Sequence, residues 1–145
     1  MIVNGDVKSL EIVVAADLSK DKVLSDEILG RQDIHENNRV AFNLPSRHIA
    51  KIFVFKLLYG ASSYGFANDP DFFDVSKSES FWQEVIDNYY KKYYGIAAWH
   101  SRLQKIAQSE RKLVIPSGRY FPIEPTINNN RVKWPTTIIK NYPVK

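Results

Sequence analysis

The pattern of apolar and polar positions predicts a chain that is mainly helical. Apolar residues recur every three or four positions in several stretches, and most of these stretches follow a residue that can cap a helix. The expected helices are KDKVLSDEIL after Ser19 and ending near Gly30, IHENNRVAFNL after Asp33, the stretch from Pro45 and Ser46 to Gly60, residues 76–94 with Ser76 or Ser78 as cap, and residues 97–111 after a break at Gly95.

Strand signals are few and short. KLVIPSGRYFPI predicts a β-hairpin, because two apolar runs flank the turn residues Pro116, Ser117 and Gly118. The remaining stretches are interpreted as a strand end at 1–5, a strand or a buried helix at 9–18, turns with a helical turn at 62–74, a loop at 128–130, and a helix at 132–142 despite Pro135. The expected fold class is α+β, mainly α with a small β component.

Composition narrows the class of protein. The chain has 145 residues, of which 44% are hydrophobic and 25% charged, so we expect one domain with a packed core. No apolar run reaches the roughly 18 residues of a membrane span, and the N-terminus lacks the basic region of a signal peptide. We therefore expect no membrane partner and a cytoplasmic location, which the absence of cysteine suits.

The net charge is weakly informative about partners. A formal charge of +4 and a content of eight Tyr, eight Phe and three Trp suit nucleic acid, since cations neutralise phosphates and rings stack on bases. Such a charge is also common among proteins that bind no nucleic acid. The three His lack the spacing of zinc ligands.

A stripe of chemically distinctive residues runs along one expected helix. In RHIAKIFVFKLLYG, residues Arg47, Lys51, Phe55 and Tyr59 recur every four positions. Such positions share about 120° of one helix face and extend roughly 18 Å along the axis. The two cations lie at the helix N-terminus, where the helix dipole is also positive, and form a potential anion site. The opposite side, which includes Ile49, Ile52, Phe53 and Leu57, can face a core. Taken alone, however, such a stripe is more often the solvated face of an amphipathic helix.

The stripe resembles motif B of the family A DNA polymerases (the polymerase I type), R-x3-K-x3-[FY]-x3-YG. Upstream, GDVKSLEIVVAADLSKD at 5–21 is similar to motif A of that family, in which an Asp is followed five residues later by Glu. Four further segments are similar to family segments and occur in family order: DIHENN at 33–38, YYGIAAW at 93–99, SGRYFPI at 117–123 and NYPVK at 141–145. The resemblance covers nearly the whole chain.

The resemblance implies how a deoxynucleoside triphosphate would be held. Arg47 and Lys51 would bind its phosphates, with His35 nearby. Phe55 would pack on the sugar and base, and Tyr59 would lie near the templating position and against Glu11. Lys51 would also take part in catalysis. Without the resemblance, His35 would be interpreted as a helix-surface residue and Tyr59 as the edge of an apolar face.

The same resemblance implies roles for two carboxylates. Asp6 would be catalytic and would bind the Mg²⁺ ions of a two-metal site, and Glu11 would crowd a ribose 2′-hydroxyl and so select deoxyribose. Phosphoryl transfer needs such hard oxygen ligands and a polyphosphate clamp. Without the resemblance, Asp6 would be a turn residue after Gly5, and Glu11 a solvated or salt-bridged carboxylate.

The sequence departs from the family pattern in one important respect. No His is followed by Asp-Glu, the motif C that carries the second metal-binding carboxylate. We therefore expect this carboxylate from a second, thumb-bearing polypeptide of a split, phage-like polymerase, and an inactive chain in isolation. The alternative is a catalytically dead remnant that binds nucleotide or DNA.

The expected layout follows from the resemblance. Residues 1–20 would be a palm segment with motif A, 21–110 the fingers subdomain, and 111–145 a hairpin and helix that return to the palm. Asn141 and Lys145 would contact primer-template DNA, although Lys145 stands where the family has Gln. A strand at residues 1–8 would present an exposed edge to which the second polypeptide would bind.

Overall fold

The computed structural model describes residues 10–141 and 143, with only the backbone described at 137 and 141. These residues form helices α1 (Leu10–Ser19), α2 (Lys22–Leu29), α3 (Ile34–Ala41), α4 (Arg47–Leu58), α5 (Ser63–Ala67), α6 (Glu79–Lys92), α7 (Tyr94–Glu110) and α8 (Thr136–Asn141), with a short 3₁₀ helix at Pro70–Phe72. The strands are β1 (Lys112–Val114), β2 (Tyr120–Pro122), β3 (Thr126–Asn128) and β4 (Arg131–Lys133). The α+β fold class, mainly α with a small β component, is confirmed. Within the described residues, no helix is long and apolar enough to span a membrane.

One large apolar cluster joins helices α1 to α7. Its centre is aromatic: the rings of Phe53 and Phe66 lie 5.0 Å apart, and Trp82 stacks on Phe66 at 5.3 Å. Both Phe53 and Trp82 are fully buried. This packing holds α4 against α5 and α6, and it leaves Arg47 and Lys51 exposed on another side of the helix. A second, small cluster under the hairpins consists of Ala107, Leu113, Ile123 and Ile139.

The start of the described chain is helical. The sequence of residues 9–18 was compatible with either a strand or a buried helix, and the structure has a helix. Its buried residues recur at helical spacing: Ile12, Ala15, Ala16 and Ser19. The expected cap at Ser19 was wrong, because Asp21 caps α2 by accepting a hydrogen bond of 2.8 Å from the backbone N–H of Leu24. Ser19 is the last residue of α1 and is buried there.

Asp21 also fixes the start of α7. Its Oδ2 accepts from the backbone N–H groups of Gly95 at 2.7 Å and Ile96 at 3.1 Å. The expected break at Gly95 was wrong, since α6 ends at Lys92 with Tyr93 as its C-cap, and Gly95 lies in the first turn of α7. Glycine is needed there for close approach, because a Cβ at this position would lie 2.6 Å from Asp21 Cα.

Gly95→Ala should therefore destabilise the protein. The added methyl group meets backbone that is held by the Asp21 cap, so overpacking should cost about 1–3 kcal/mol of unfolding free energy. Gly65→Ala is the matched control, because the nearest atom to its Cβ lies at 3.6 Å and helix propensity favours Ala. Denaturant melts of the two variants should differ in midpoint, and equal midpoints would contradict the Gly95 contact.

The C-terminal segment contains two hairpins. β1 pairs with β2 in the predicted hairpin, with Leu113 opposite Phe121. The helix expected at 132–142 was wrong in its first part, because Arg131–Lys133 is strand β4 and pairs with β3. Asn129 and Asn130 have φ values of 49° and 59°, a left-handed turn that asparagine tolerates and that suits a two-residue hairpin. The helix α8 begins only after Pro135.

His100 is a buried, polar exception within the helical core. Its Nδ1 lies 2.9 Å from the Tyr90 hydroxyl, and Nε2 is buried without a hydrogen-bond partner among the described residues. Burial, with a smaller contribution from the charge of Lys140, lowers the pKa of His100 to about 3. The neutral imidazole is therefore the folded-state form at neutral pH.

Stability should fall as pH is lowered below about 6.5 because of His100. An unfolded His has a pKa of about 6.5, so His100 takes up a proton near this pH in the unfolded chain. In the folded chain it takes up that proton only near pH 3. Between pH 7 and 5 the loss should be about 2 kcal/mol. His100→Gln keeps an acceptor for Tyr90 and cannot titrate, so its denaturant midpoints should change less over this range. The same slope in both proteins would contradict a neutral, buried His100.

Candidate nucleotide-binding site

Helix α4 places the stripe at the surface. Ser46 caps the helix by accepting from the backbone N–H of Ile49 at 3.1 Å, so the N-terminus is well defined at Arg47. Arg47 and Lys51 are exposed, whereas Phe55 is half-buried. The residues that anchor the other flank in the core are Ala50, Phe53, Val54, Leu57 and Leu58. Of the positions expected to face the core, Ile49 and Ile52 are only half-buried.

Arg47 is paired with a carboxylate from α3's cap. Its Nε donates to Asp33 Oδ2 at 2.8 Å, and both side chains are about half exposed. Asp33 Oδ1 accepts from the backbone N–H of Glu36 at 3.1 Å and so caps α3 as predicted. The bond from Arg47 and the cap hold the pKa of Asp33 below its usual range. The cation at the N-terminus of α4 is thus already neutralised by one carboxylate.

Lys51 lies one turn further along α4. Within the part of the chain that the structure describes, its ammonium group forms no ion pair or hydrogen bond. By contrast Lys56, on another face of the same helix, is bound by Asp71 at 2.8 Å as well as by Asp69. A helix with one exposed cation left unpaired beside a paired Arg47 offers a place for an external anion.

Glu11 and Tyr59 meet at the C-terminal end of the stripe. The Tyr59 hydroxyl donates to Glu11 Oε1 at 3.2 Å, across 48 positions of sequence. Burial, together with this bond to the carboxylate, raises the pKa of Tyr59. The resemblance implied that these two side chains belong to one site, and the packing of α1 against the helical core brings them together. Tyr59 itself is the C-cap of α4, and Gly60 follows with φ 93°.

His35 lies beside the middle of the stripe. It is buried in α3, with its ring centroid 6.0 Å from that of Phe55. An open cleft of about 370 Å³ lies next to it, and Arg31, Asp33, His35 and Arg47 provide its polar walls. The cleft therefore meets the N-terminal end of the stripe, and Lys51 and Phe55 continue the surface beyond its walls.

Three site residues of the sequence prediction fall outside this geometry. Asp6 and Lys145 lie outside the described residues, as does the expected strand at 1–8. The side chain of Asn141 is likewise not described. Among the described residues there is no group of three or more His, Asp or Glu side chains that could hold a metal ion. The metal-binding role of Asp6 therefore stays a prediction.

Sequence reasoning missed the ion pair of Asp33 with Arg47. Asp33 was identified only as a cap, which the residue type and its position before an apolar run indicate. Its pairing with a residue 14 positions away depends on how α3 packs against α4. The only available signal was the position of Asp33 beside His35 in the DIHENN segment.

Comparisons with known proteins define the protein family of this chain. Residues 1–138 match the DNA polymerase family A sequence family. The chain is 29% identical over 128 residues to the DNA polymerase I of Pseudomonas aeruginosa, with 81% of this chain and 14% of that protein covered. The chain therefore belongs to DNA polymerase family A.

The fold agrees with this assignment. The POL domain of Pol1 from M. smegmatis, solved in complex with a DNA primer-template and dNTP, superposes with a TM-score of 0.72 at 18% identity. The match covers 96% of this chain and 25% of that one. The chain thus has the fold of one part of a polymerase POL domain, and it spans about a seventh of the length of the curated relative that it matches.

Proposed function

We propose that this chain is the part of a template-directed DNA polymerase that receives the incoming deoxynucleoside triphosphate. One observation carries the proposal: α4 presents Arg47, Lys51 and Phe55 on one surface, and the Tyr59–Glu11 bond closes its far end, in a chain of DNA polymerase family A. The layout that follows from it is a palm segment at 1–20, fingers at 21–110, and a hairpin and helix returning to the palm at 111–145.

The phosphates would bind at the N-terminal half of α4. Lys51 and Arg47 lie one helical turn apart, about 6 Å along the axis, which suits adjacent phosphates of one chain. Lys51 can bind an anion without giving up a partner among the described residues, whereas Arg47 would exchange Asp33 for a phosphate oxygen or share its guanidinium between them. Arginine suits such sharing because its planar guanidinium group presents several hydrogen-bond donors. The ring of Phe55, beside His35, would support the sugar and base.

Sugar selection would come from Glu11. Its carboxylate is held by the Tyr59 hydroxyl at 3.2 Å, so its position is set by two packed helices rather than by solvent. A 2′-hydroxyl directed at this side chain would meet steric bulk and would have to find new hydrogen bonds. Deoxyribose would avoid that conflict.

Catalysis would need Mg²⁺, which supplies charge neutralisation at the transferred phosphoryl group. Asp6 is the residue of this chain that would bind it, because a carboxylate is the ligand type that Mg²⁺ prefers. One carboxylate is too few for a two-metal site. The second would come from outside these 145 residues, on another polypeptide in the split-enzyme form of the proposal. Primer-template DNA would reach Asn141 and Lys145.

Triphosphate binding is the function to test first. Titration of the chain with a fluorescent deoxynucleoside triphosphate in Mg²⁺ buffer should show weak, saturable binding. Affinity should fall as ionic strength rises, because exposed cations provide the attraction. The unphosphorylated nucleoside should bind more weakly and with little dependence on salt. Equal affinities for the two ligands at every salt concentration would contradict the proposal.

Removing the competing carboxylate should strengthen triphosphate binding. Asp33→Asn keeps an oxygen that can cap α3, yet it frees Arg47 and removes a negative charge next to the phosphates. A half-exposed ion pair contributes only up to about 1 kcal/mol, so we expect an affinity gain of roughly twofold to fivefold by titration. Weaker binding by this variant would indicate that Asp33 positions Arg47 for the ligand.

A further inference from the structure

A second polar cleft lies away from α4, where α6, α7 and α8 meet. The Tyr90 hydroxyl of α6 lies 2.9 Å from His100 Nδ1 of α7 and 3.2 Å from Lys140 Nζ of α8. These three residues, with Ser101 and Gln104, line a cleft of about 240 Å³. This cleft shares no lining residue with the cleft beside Arg47.

The direction of the Lys140–Tyr90 hydrogen bond follows from chemistry, and we assign the Tyr90–His100 bond the direction that it allows. The Lys140 ammonium group can only donate, so the Tyr90 oxygen accepts from it, and the Tyr90 hydroxyl hydrogen is free to go to His100 Nδ1. A neutral imidazole that accepts at Nδ1 carries its proton on Nε2. That N–H is buried and has no hydrogen-bond partner among the described residues. With the Tyr90 hydroxyl as the donor, the cluster has one N–H group left over and no acceptor for it among the described residues.

Lys140 is a cation without an anion. Burial lowers its pKa, and no Asp or Glu of the described residues forms an ion pair with it. Within the described residues, this half-buried ammonium group forms one hydrogen bond, to a neutral hydroxyl, and its remaining N–H groups have no protein acceptor. A buried charge without a partner is costly, so this arrangement favours occupation by an anion.

The chain segment that contains Lys140 is also positively charged. Residues 111–145 carry seven Lys or Arg and a single acidic residue, Glu124, whereas residues 1–110 carry thirteen Lys or Arg and fifteen Asp or Glu. The net positive charge of the chain thus lies in the C-terminal segment to which Lys140 belongs. Glu124 is itself paired with Arg111. The long-range field at the cleft attracts anions.

We propose that the cleft formed by Tyr90, His100 and Lys140 binds one phosphate group. A phosphate presents several acceptor oxygens to the Lys140 ammonium group and to the hydroxyl of Ser101, which line the cleft together with Tyr90 and His100. The volume suits a single phosphate group rather than a whole nucleotide. The phosphate comes either from free inorganic phosphate or from one phosphodiester of a nucleic acid backbone.

The experiment follows the imidazole resonances of His100 by NMR in the full chain. The signals are assigned with His100→Gln, which distinguishes them from His35 and His48. The two probes are inorganic phosphate and a deoxydinucleotide with one phosphodiester. We expect a saturable shift of the His100 signals with at least one of them. A response to phosphate alone assigns a free-anion site, and a response to the dinucleotide assigns a backbone site.

Two variants distinguish anion binding in the cleft from general electrostatic attraction by the protein surface. Lys140→Met removes the charge and fits the half-buried position, whereas Lys105→Met makes the same charge change on the exposed face of α7. Apparent affinity should fall at least tenfold in the first and less than twofold in the second. Lys51→Ala should leave the His100 response unchanged, so failure of the nucleotide site would not affect this result. No saturable shift with either probe, or equal losses in the two Lys→Met variants, would overturn the proposal.

Discussion

Glu11→Ala should raise ribonucleotide incorporation about 100-fold relative to deoxynucleotide incorporation. The measurement is kcat/KM for both nucleotides in an active polymerase in which this chain is joined or combined with residues that carry the second metal-binding carboxylate. The reason is steric: alanine vacates the volume that Glu11 fills beside Tyr59, and the 2′-hydroxyl then fits without a clash. Rejection by a clash and by unpaired polar groups is worth about 100-fold or more in protein sites.

Two further variants separate steric bulk from charge at this position. Glu11→Gln keeps the size of the side chain and an oxygen that can accept from Tyr59, so selection against ribose should stay close to that of the parent. Tyr59→Phe removes the bond that holds Glu11 and should lower selection by a smaller factor than Glu11→Ala. If Glu11→Ala leaves the preference unchanged, Glu11 does not face the sugar, and the role assigned to Asp6 from the same motif becomes doubtful as well.

Lys51→Ala should weaken triphosphate binding at least tenfold while leaving nucleoside binding unchanged. Lys51 is exposed and, within the described residues, unpaired, so its ammonium group is available for a phosphate without competition. Alanine is a better helix former than lysine, so α4 should remain intact and the loss should report on binding. Calorimetric titration in Mg²⁺ buffer gives both affinities.

Lys91→Ala is the matched control for that change. Lys91 is exposed near the end of α6, and its replacement alters the net charge by the same amount. Its triphosphate affinity should stay within twofold of the parent. Equal losses for triphosphate and nucleoside in Lys51→Ala would mean that the variant disturbs the fold or the base contact, and would contradict the role of Lys51 in binding phosphate.

The helical part of the fold could be predicted well because its signals are local. Asp33 was identified as a cap, and Ser78 as one of two candidate caps with Ser76, from residue type and position. The structure has both in that role, and Ser46, which with Pro45 was expected to open the next helix, caps α4. The cap of α2 was predicted at Ser19 but is Asp21, two residues later, and both residue types cap helices. Only tertiary packing shows that Asp21 serves two helices at once and must therefore be buried.

The second hairpin could not be predicted so readily. Residues 126–133 have one apolar position per strand, Ile127 and Val132, and both are exposed, so burial provides no pattern to detect. The turn signal at Asn129 and Asn130 was interpreted as a loop, and the helix was extended back across Pro135. Proline is well placed at the start of α8, because the first turn of a helix does not need its N–H.

The candidate site was accessible from sequence only as a set of separate motifs. The four-residue spacing from Arg47 to Tyr59 predicts a shared face for any helix. The contact of Tyr59 with Glu11 depends on how α1 packs, and was expected only through the resemblance. The pairing of Arg47 with Asp33 depends on how α3 packs against α4 and was not predicted. It changes the expected chemistry, because the guanidinium must leave or share a partner in order to bind phosphate.

The most direct test of the account is to map where a deoxynucleoside triphosphate binds. Backbone amide NMR shifts should be recorded during titration of the chain with dTTP and Mg²⁺, with thymidine as the comparison ligand. We expect the largest triphosphate-specific shifts in the first two turns of α4, from Arg47 to about Lys51, and in the cap at Asp33. Shifts confined to the C-terminal hairpins, or a map that is identical for dTTP and thymidine, would contradict it.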